Sequence, residues 1–547
     1  MKPHLPILLS LLLTGVQHAF SQSDTQAVYS HAMKLYDAKN YHAAAQEIDK
    51  VFSLSMDPQR LYNIACIYAL DHHKERAFDI LYHLANKCFY DNDSHLSSDS
   101  DLSEIHADAR WAPLTEIVKK NKATAPERRR ATYATELTNA QQLLKADGGK
   151  LWGQQVWDDH ILILDYDNTI YSTTAFPGSK TTDGRLFSAA VPAGTFVFVN
   201  TVQSYMGQDY AIVLSNYVSD HSITIIHELF HLLQQKNIKL KGDAIKYLDN
   251  YDTRQWLRLE YAALRRALTG IKNKAANKDI RSCLEDALLF RKLRQNAYKN
   301  FLQNELEIET LEGLANYTGF ALSSESNKYQ AAISEIDQRE AAQTYTRPFP
   351  YATGVAYGLI YDYLGIPWKA GLKKVYNFLS IYEAQKKITT GESVVEMARL
   401  RNNFTQIHNE EVERRKRNDS LQAYYTNLLQ RKPTLKAVMT DNDNYGLTYN
   451  MNGTIELPGI GTVYSSISGR DKSGKNFGKF KTLNEKAYLG NAGILILSDF
   501  KTVIFPAPVK IEGQHITGDV YEIELNDGWI VEKLANGDFL IKSGKAG

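Results

Sequence analysis

The sequence has little of three things that would narrow its class: cysteine, net charge and long apolar runs. Only three of its 547 residues are cysteines, too few for the disulfide framework of a small secreted domain. The formal net charge is +1, so no basic surface for nucleic acid or an anionic membrane is indicated. After the N-terminal segment, no apolar run reaches the length of about 18 residues that a membrane-spanning helix needs. We therefore expect no nucleic acid partner and no membrane span.

The sequence contains three cysteines, Cys66, Cys88 and Cys283. Because this number is odd, at least one of them has no disulfide partner within the chain. Cys66 and Cys88 lie in apolar helical patterns, which favours buried free thiols, and a Cys66–Cys88 bridge is the alternative. None of the three carries the local signature of a cysteine nucleophile, so cysteine catalysis is not indicated.

The N-terminus has the pattern of a secretory signal peptide. Lys2 precedes an apolar run over residues 5–16, and small residues up to Ser21 suit cleavage before Gln22. This run is too short to span a bilayer. Residues 1–21 are therefore predicted to be removed, and the mature protein is predicted to be secreted or periplasmic.

The chain is too long for one ordinary core, so several domains are predicted. Residues 22–122 have the pattern of paired helices, in which apolar positions recur 33 residues later. The recurring pairs are Ala32 with Ala65, Leu35 with Tyr68, Ala44 with Ala77, and Ile48 with Leu81. This period resembles that of tetratricopeptide repeats. We expect an α-helical, repeat-like domain that is either a structural appendage or a groove for a protein partner.

Residues 123–432 are predicted to form an α+β domain that is mostly helical. Strand patterns fill residues 160–217, and helical patterns fill residues 220–430. The segment TFVFVN or the segment DYAIVL is expected to lie at the edge of the sheet, where extended polypeptide can pair with it.

The pattern changes after Pro433 to short alternating strands separated by glycine, asparagine and aspartate. Residues 433–547 are therefore predicted to form a small all-β domain, either a sandwich or a barrel. This stretch has no recognisable catalytic cluster.

The strongest chemical signal is the segment T-I-I-H-E-L-F-H-L-L at residues 224–233. On a helix, His227 and His231 lie on one face and can bind one metal ion, and Glu228 can reach a water molecule beside them. The other positions are apolar, so these polar groups interrupt a helix suited to a core, where unpaired polar groups are costly. The pattern predicts one catalytic Zn²⁺ with His227 and His231 as ligands.

A catalytic zinc ion has a third protein ligand, and Glu312 in the segment E-G-L-A-N-Y is the first candidate. H-E-x-x-H followed by this segment resembles the gluzincin class of zinc metallopeptidases, in which the glutamate of the second segment is the third ligand. The resemblance implies a zincin-like fold over roughly residues 160–365. About 80 residues separate His231 from Glu312, more than in familiar gluzincins, so Glu260 is the second candidate.

Three further residues have predicted roles near the ligands. Glu309, one turn before Glu312, would orient a ligand histidine or else lie in solvent. Tyr351 and Tyr357 come after the ligand helix, where related enzymes often place the donor that stabilises the oxyanion. A packed aromatic side chain is the alternative for each tyrosine.

These expectations lead to an exported zinc metallopeptidase that acts on a peptide or protein, with Glu228 as general base. Two alternatives stay open. One is a catalytically silent protein that recruits partners through its terminal domains, and the other is a zinc hydrolase of a non-peptide amide or ester. The intact Glu228 argues against a silent site, whereas nothing in the sequence decides the substrate.

Overall fold

The structure is a computed structural model that describes residues 22–54, 56–181, 184–218, 222–242, 245–441, 444–449, 454–483 and 493–544. The predicted signal peptide lies outside these residues. The chain divides into two compact units, residues 1–141 with 159–220 and residues 142–158 with 221–547. The strands predicted before the H-E-x-x-H helix thus belong to the first unit, and the helix itself belongs to the second.

Short helices begin the first unit. They are α1 (Gln22–Asp37), α2 (Tyr41–Asp49), α3 (Pro58–Leu70), α4 (Lys74–Asn86) and α5 (Asp93–Ser98). Asn40 and Asp57 cap α2 and α3, because the side-chain oxygen of each accepts the backbone N–H three residues later. The recurring apolar positions form the core of this region, with Leu35 at its margin. The region is helical, as the periodicity predicts.

A long helix follows. A 3₁₀ turn (Ser100–Ile105) leads to α6 (Trp111–Asp147), which continues through Pro126. The domain boundary predicted at residue 122 falls inside this helix. Tyr133, Leu137 and Ala140 recur on one face of α6 and are buried, so an apolar stripe anchors a helix that is otherwise rich in charge.

The first unit also holds a six-stranded sheet in the order β3-β4-β2-β1-β6-β5. Its strands are β1 (Ile161–Leu164), β2 (Thr169–Ser172), β3 (Lys180–Thr181), β4 (Phe187–Ala190), β5 (Thr201–Tyr205) and β6 (Gln208–Leu214). Strands β1 and β6 run parallel, with Ile161 opposite Ala211, and the other neighbours are antiparallel.

The prediction that TFVFVN or DYAIVL lies at the edge of the sheet is wrong. DYAIVL forms most of β6, which pairs with β1 on one side and β5 on the other. TFVFVN precedes β5, and its residues 197–199 are exposed and lie outside the strands. Within the described residues, β5 is therefore the edge strand on this side.

The second unit is mainly helical up to residue 431. Its helices are α7 (Ile223–Asn237), α8 (Tyr251–Lys272), α9 (Asn277–Ala297), α10 (Leu302–Ile308), α11 (Leu314–Leu322), α12 (Lys328–Glu340), α13 (Phe349–Leu364), α14 (Phe378–Glu383), α15 (Glu392–Arg401) and α16 (Phe404–Thr426). Single turns of π-helix occur at Glu309–Gly313, between α10 and α11, and at Asn427–Arg431. None of the helices in the described ranges is long and apolar enough to cross a membrane.

Helix α13 crosses the π-turn at Glu309–Gly313 at very short range. A Cβ atom added to Gly354 would lie 2.3 Å from the Cα of Gly313, so no side chain fits at that point. A Cβ atom on Gly313 itself, the glycine of the E-G-L-A-N-Y segment, would lie 3.0 Å from the carbonyl oxygen of Pro350, so this position is also tightly packed against the α13 backbone. This crossing holds the segment that carries Glu312 against α13.

The C-terminal region is all-β, as predicted. Its strands are β7 (Thr434–Val438), β8 (Tyr445–Tyr449), β9 (Ile455–Leu457), β10 (Gly461–Tyr464), β11 (Ile467–Asp471), β12 (Gly478–Thr482), β13 (Ile494–Leu497), β14 (Thr502–Pro506), β15 (Lys510–Glu512), β16 (His515–Thr517), β17 (Tyr521–Leu525), β18 (Trp529–Lys533) and β19 (Phe539–Ser543). They form two sheets, ordered β18-β19-β7-β14-β13-β10-β9 and β15-β16-β17-β12-β11-β8. Phe505 of the first sheet packs against Phe480 and Tyr521 of the second, so the region is a sandwich.

The three cysteines are free thiols. Cys66 and Cys283 are buried, and Cys88 is half-buried. The alternative of a Cys66–Cys88 bridge is wrong, because the Cys66 sulfur instead faces the Asp99 carboxylate, 3.7 Å from its Oδ2. Burial raises the pKa of the Cys66 thiol, which makes it a poor nucleophile.

Candidate metal centre

Helix α7 presents two histidines from an apolar, buried stretch. Ile226, Leu229 and Phe230 are fully buried, and their packing fixes the rotation of the helix about its axis. His227 and His231 lie four residues apart on one face, and their Nε2 atoms are 3.0 Å apart. Both imidazoles are buried. The packing of α7 thus sets the distance between two nitrogens that could bind one metal ion.

The third atom of the cluster comes from Glu312, on the π-turn between α10 and α11. Its Oε2 lies 3.5 Å from Nε2 of His227 and 3.5 Å from Nε2 of His231. Ligands of a tetrahedral zinc ion at about 2.0–2.1 Å from the metal lie about 3.3 Å from one another. The three atoms therefore have the mutual separations of three corners of a zinc tetrahedron, and the residues fit this metal.

Gln234 bonds to one of the two histidines and was missed by the sequence interpretation. Its Nε2 donates to the backbone carbonyl of Thr310 over 2.7 Å, so its Oε1 must face Nδ1 of His231, 2.9 Å away. Because an amide oxygen only accepts, the proton lies on Nδ1 and donates to it. Nε2 of His231 is then directed toward Glu312 and His227. The signal that could have found Gln234 is its position one turn after His231.

Glu228 is a second carboxylate at the centre, and it is buried. One of its oxygens lies within 4.8 Å of the ligand nitrogens of both histidines, whereas its Oε2 is buried with no hydrogen-bond partner among the described residues. Burial raises the pKa of Glu228, although the two histidines oppose that effect. Glu312, whose Oε2 lies 3.5 Å from both histidine nitrogens, is the candidate third ligand, and Glu228 is the candidate for proton exchange.

Tyr351 borders the cluster. Its ring is parallel to that of His227, with 5.7 Å between centroids and 1° between planes. The guanidinium of Arg339 lies over the same tyrosine ring, 4.7 Å from its centroid. Burial, reinforced by the charge of Glu312 and a hydrogen bond to it, raises the pKa of the Tyr351 hydroxyl, so this group stays protonated and is a hydrogen-bond donor beside the histidines. Tyr351 is thus the predicted tyrosine that lies at the centre.

Tyr357 does not belong to the cluster, and its predicted oxyanion role is wrong. The residue is completely buried, and its hydroxyl donates to Oε1 of Glu260 over 2.9 Å. Its hydroxyl thus belongs to the buried contacts of Glu260 and Arg291 and not to the histidine cluster. The alternative of a packed aromatic side chain applies instead.

Glu260, the second candidate for third ligand, is occupied elsewhere. It is fully buried and accepts from Nε of Arg291 over 2.8 Å and from Nη2 of Arg294 over 2.9 Å. Arg254, Arg258 and Arg265 on its own helix pair with other acidic residues. Within the described residues, Glu312 is therefore the candidate that joins His227 and His231.

Glu309 neither orients a histidine nor lies in solvent, so both predictions for it are wrong. It is buried, and its two oxygens accept from Nη1 and Nη2 of Arg291 over 2.7 and 2.6 Å. The hydroxyl of Thr353 donates to it as well. The i to i+5 spacing of the π-turn rotates Glu309 and Glu312 to different sides. Two residues of one π-turn thus face an ion pair and the candidate metal centre.

Metal binding is expected to displace a proton from His231. Burial alone would lower the pKa of this histidine, but its hydrogen bond and ion pair with Glu312 outweigh that effect and raise the pKa to about 9. Below that pH the metal-free protein carries a proton that zinc must remove, so zinc affinity should rise about tenfold per pH unit between pH 7 and 8.5. Calorimetric titrations with zinc in buffers of different ionisation enthalpy measure the protons released. Heats that do not depend on the buffer at pH 7 would contradict the assignment.

Comparisons of the chain with protein-family models, with curated proteins and with solved structures give no significant match. The residues of this centre and their geometry are therefore the basis for a proposed function.

Proposed function

We propose that the protein is a zinc-dependent metallopeptidase that acts after export. One observation carries the proposal: Nε2 of His227, Nε2 of His231 and Oε2 of Glu312 lie 3.0, 3.5 and 3.5 Å apart, as ligands of one tetrahedral ion do. Three protein ligands leave one position open, which is typical of catalytic rather than structural zinc. The signal-peptide pattern of residues 1–21 supports export.

Glu228 is the proposed general base. When bound, zinc supplies a Lewis acid that activates a water molecule and polarises the carbonyl under attack. Glu228 takes the proton of that water and delivers it to the leaving amine. Two properties support this role: Oε2 of Glu228 has no partner within the described chain, and its raised pKa makes the carboxylate a stronger base than one in water.

Tyr351 is the proposed donor to the oxyanion. A charge develops on the carbonyl oxygen in the transition state, and a hydrogen bond aimed at that oxygen lowers the barrier. The hydroxyl of Tyr351 keeps its proton because burial raises its pKa. The stacking of its ring on His227 keeps this side chain beside the ligand nitrogens.

The proposal is tested by zinc content and by cleavage. Purified full-length protein should hold one zinc ion per chain, should cleave members of a mixed peptide library, and should lose cleavage when a chelator removes the metal. Restored zinc should restore cleavage. A zinc-loaded protein that leaves all peptides intact would contradict the peptidase; cleavage of ester or non-peptide amide substrates by that preparation would favour the alternative hydrolase.

A further inference from the structure

The π-turn at Glu309–Gly313 links the two elements that supply the ligands. Gln234 on α7 bonds to Nδ1 of His231 through its amide oxygen and to the carbonyl of Thr310 through its amide nitrogen. Thr310 lies two residues before Glu312. One buried amide thus joins a histidine of the helix to the segment that carries the third ligand.

The other side of the same π-turn is held by a buried ion pair. Arg291 on α9 donates two parallel hydrogen bonds to Glu309, the strongest geometry for this pair of groups. Thr353 on α13 donates a third bond to the Glu309 carboxylate. The backbone N–H of Tyr376 donates to the Thr310 hydroxyl over 2.8 Å. Four chain segments therefore hold a single turn.

These contacts exceed what a helix turn needs for its own stability. A π-turn is less favourable than the α-helix around it and persists where tertiary contacts support it. The two charged partners are completely buried, and burying ions is costly unless their hydrogen bonds are satisfied. Their placement next to Glu312 gives these contacts a further effect, because a metal site gains affinity when its ligands are held in position before the metal arrives.

We infer that Gln234 is a positioning residue of the zinc site. It fixes the position of His231 relative to the π-turn that carries Glu312. The contacts among Arg291, Glu309 and Thr353 stabilise the opposite side of that turn. The inference rests on the zinc site of the proposed function and deepens it. Gln234 touches neither substrate nor metal in this role. It acts through the orientation of His231 and Glu312.

Gln234→Leu tests the inference, with Gln255→Leu as matched control. Gln255 is also a buried glutamine whose Oε1 lies 2.9 Å from Nδ1 of a histidine, His408, and whose Nε2 donates to a backbone carbonyl. Both variants lose the same kinds of bonds, so similar losses of thermal stability are expected. Only Gln234→Leu should weaken zinc binding, by about 10–100-fold, and change the visible spectrum of the Co²⁺-substituted protein.

The possible results distinguish failure of the positioning role of Gln234 from failure of the proposed zinc site. Wild-type zinc affinity and an unchanged Co²⁺ spectrum in Gln234→Leu overturn the positioning role and leave the zinc site intact. Equal losses of zinc affinity in both glutamine variants also overturn it, because general destabilisation then explains the effect. A wild-type protein that binds neither ion overturns the proposed function together with this inference.

A second pair of variants tests the contacts at the π-turn if Gln234→Leu fails to fold. Thr353→Val removes the donor to Glu309, and Thr318→Val removes a hydroxyl that is equally buried and also bonds to the carbonyl four residues earlier. At comparable stability, Thr353→Val should lower zinc affinity more than Thr318→Val does. Equal affinities in the two valine variants would contradict the bracing of the π-turn.

Discussion

Glu228→Gln is expected to lower kcat/KM for peptide hydrolysis by about 10²–10⁴-fold while the protein retains one zinc ion per chain. The amide has the shape of the carboxylate but cannot accept the proton of the attacking water. His227, His231 and Glu312 keep their positions in this variant, so metal content should not change. Steady-state kinetics together with zinc analysis of the same preparation make the measurement.

The same substitution should raise the thermal stability of the metal-free protein near neutral pH. Burial raises the pKa of Glu228, so the folded state binds this proton more tightly than the unfolded state does. The resulting stabilisation is present at low pH and is lost as the pH rises through the folded pKa. The amide of Glu228→Gln cannot ionise, so the gap between the melting temperatures of the two proteins should open with rising pH and close below the ordinary pKa of glutamate, about 4.3.

Two outcomes would contradict the role of Glu228. Cleavage at the wild-type rate in zinc-loaded Glu228→Gln would show that another group accepts the proton. Loss of zinc from Glu228→Gln would show that Glu228 is itself a ligand, and its separate role in proton exchange would then be wrong.

Glu312→Ala is expected to lose zinc binding, whereas Glu260→Ala is expected to lose folding stability. Glu312→Ala removes one of three ligands, so zinc affinity should fall by more than the roughly 10–100-fold that the loss of an outer partner costs. Its metal-free fold should lose less stability than that of Glu260→Ala, because Glu312 has a side chain that is 19% exposed and His231, left without this ion-pair partner, can release its proton. Equilibrium dialysis against zinc measures the first effect, and thermal unfolding with chelator present measures the second.

Glu260→Ala should leave one zinc ion per chain but unfold much more easily. It strips Arg291 and Arg294 of a shared buried partner, and breaking a buried ion pair costs about 3–5 kcal/mol. Denaturant unfolding of both variants in chelator gives the comparison. Loss of zinc from Glu260→Ala together with retention by Glu312→Ala would reverse the assignment of the third ligand.

The spacing of residues along the chain predicted much of the secondary structure, because this spacing depends on contacts made within one helix or one strand. The four-residue spacing of His227 and His231 places both on one face of any α-helix, whatever packs around it. The 33-residue recurrence predicted the paired helices, and alternation after Pro433 predicted the β-region. Strand order in the sheet of the first unit could not be obtained in this way, since pairing joins distant segments and β6 lies inside the sheet.

The sequence by itself determined the two-histidine face of α7, the carboxylate of Glu228 beside it and a short set of glutamates for the third ligand. Only the tertiary structure separated Glu312 from Glu260 as the candidate that meets the histidines, because both lie in helical segments and differ in what each one faces. Arg291 and Arg294 on α9 occupy Glu260. The π-turn rotates Glu312 toward the histidines, and Gln234 became visible as a partner of His231 only when α7 and that turn were brought together.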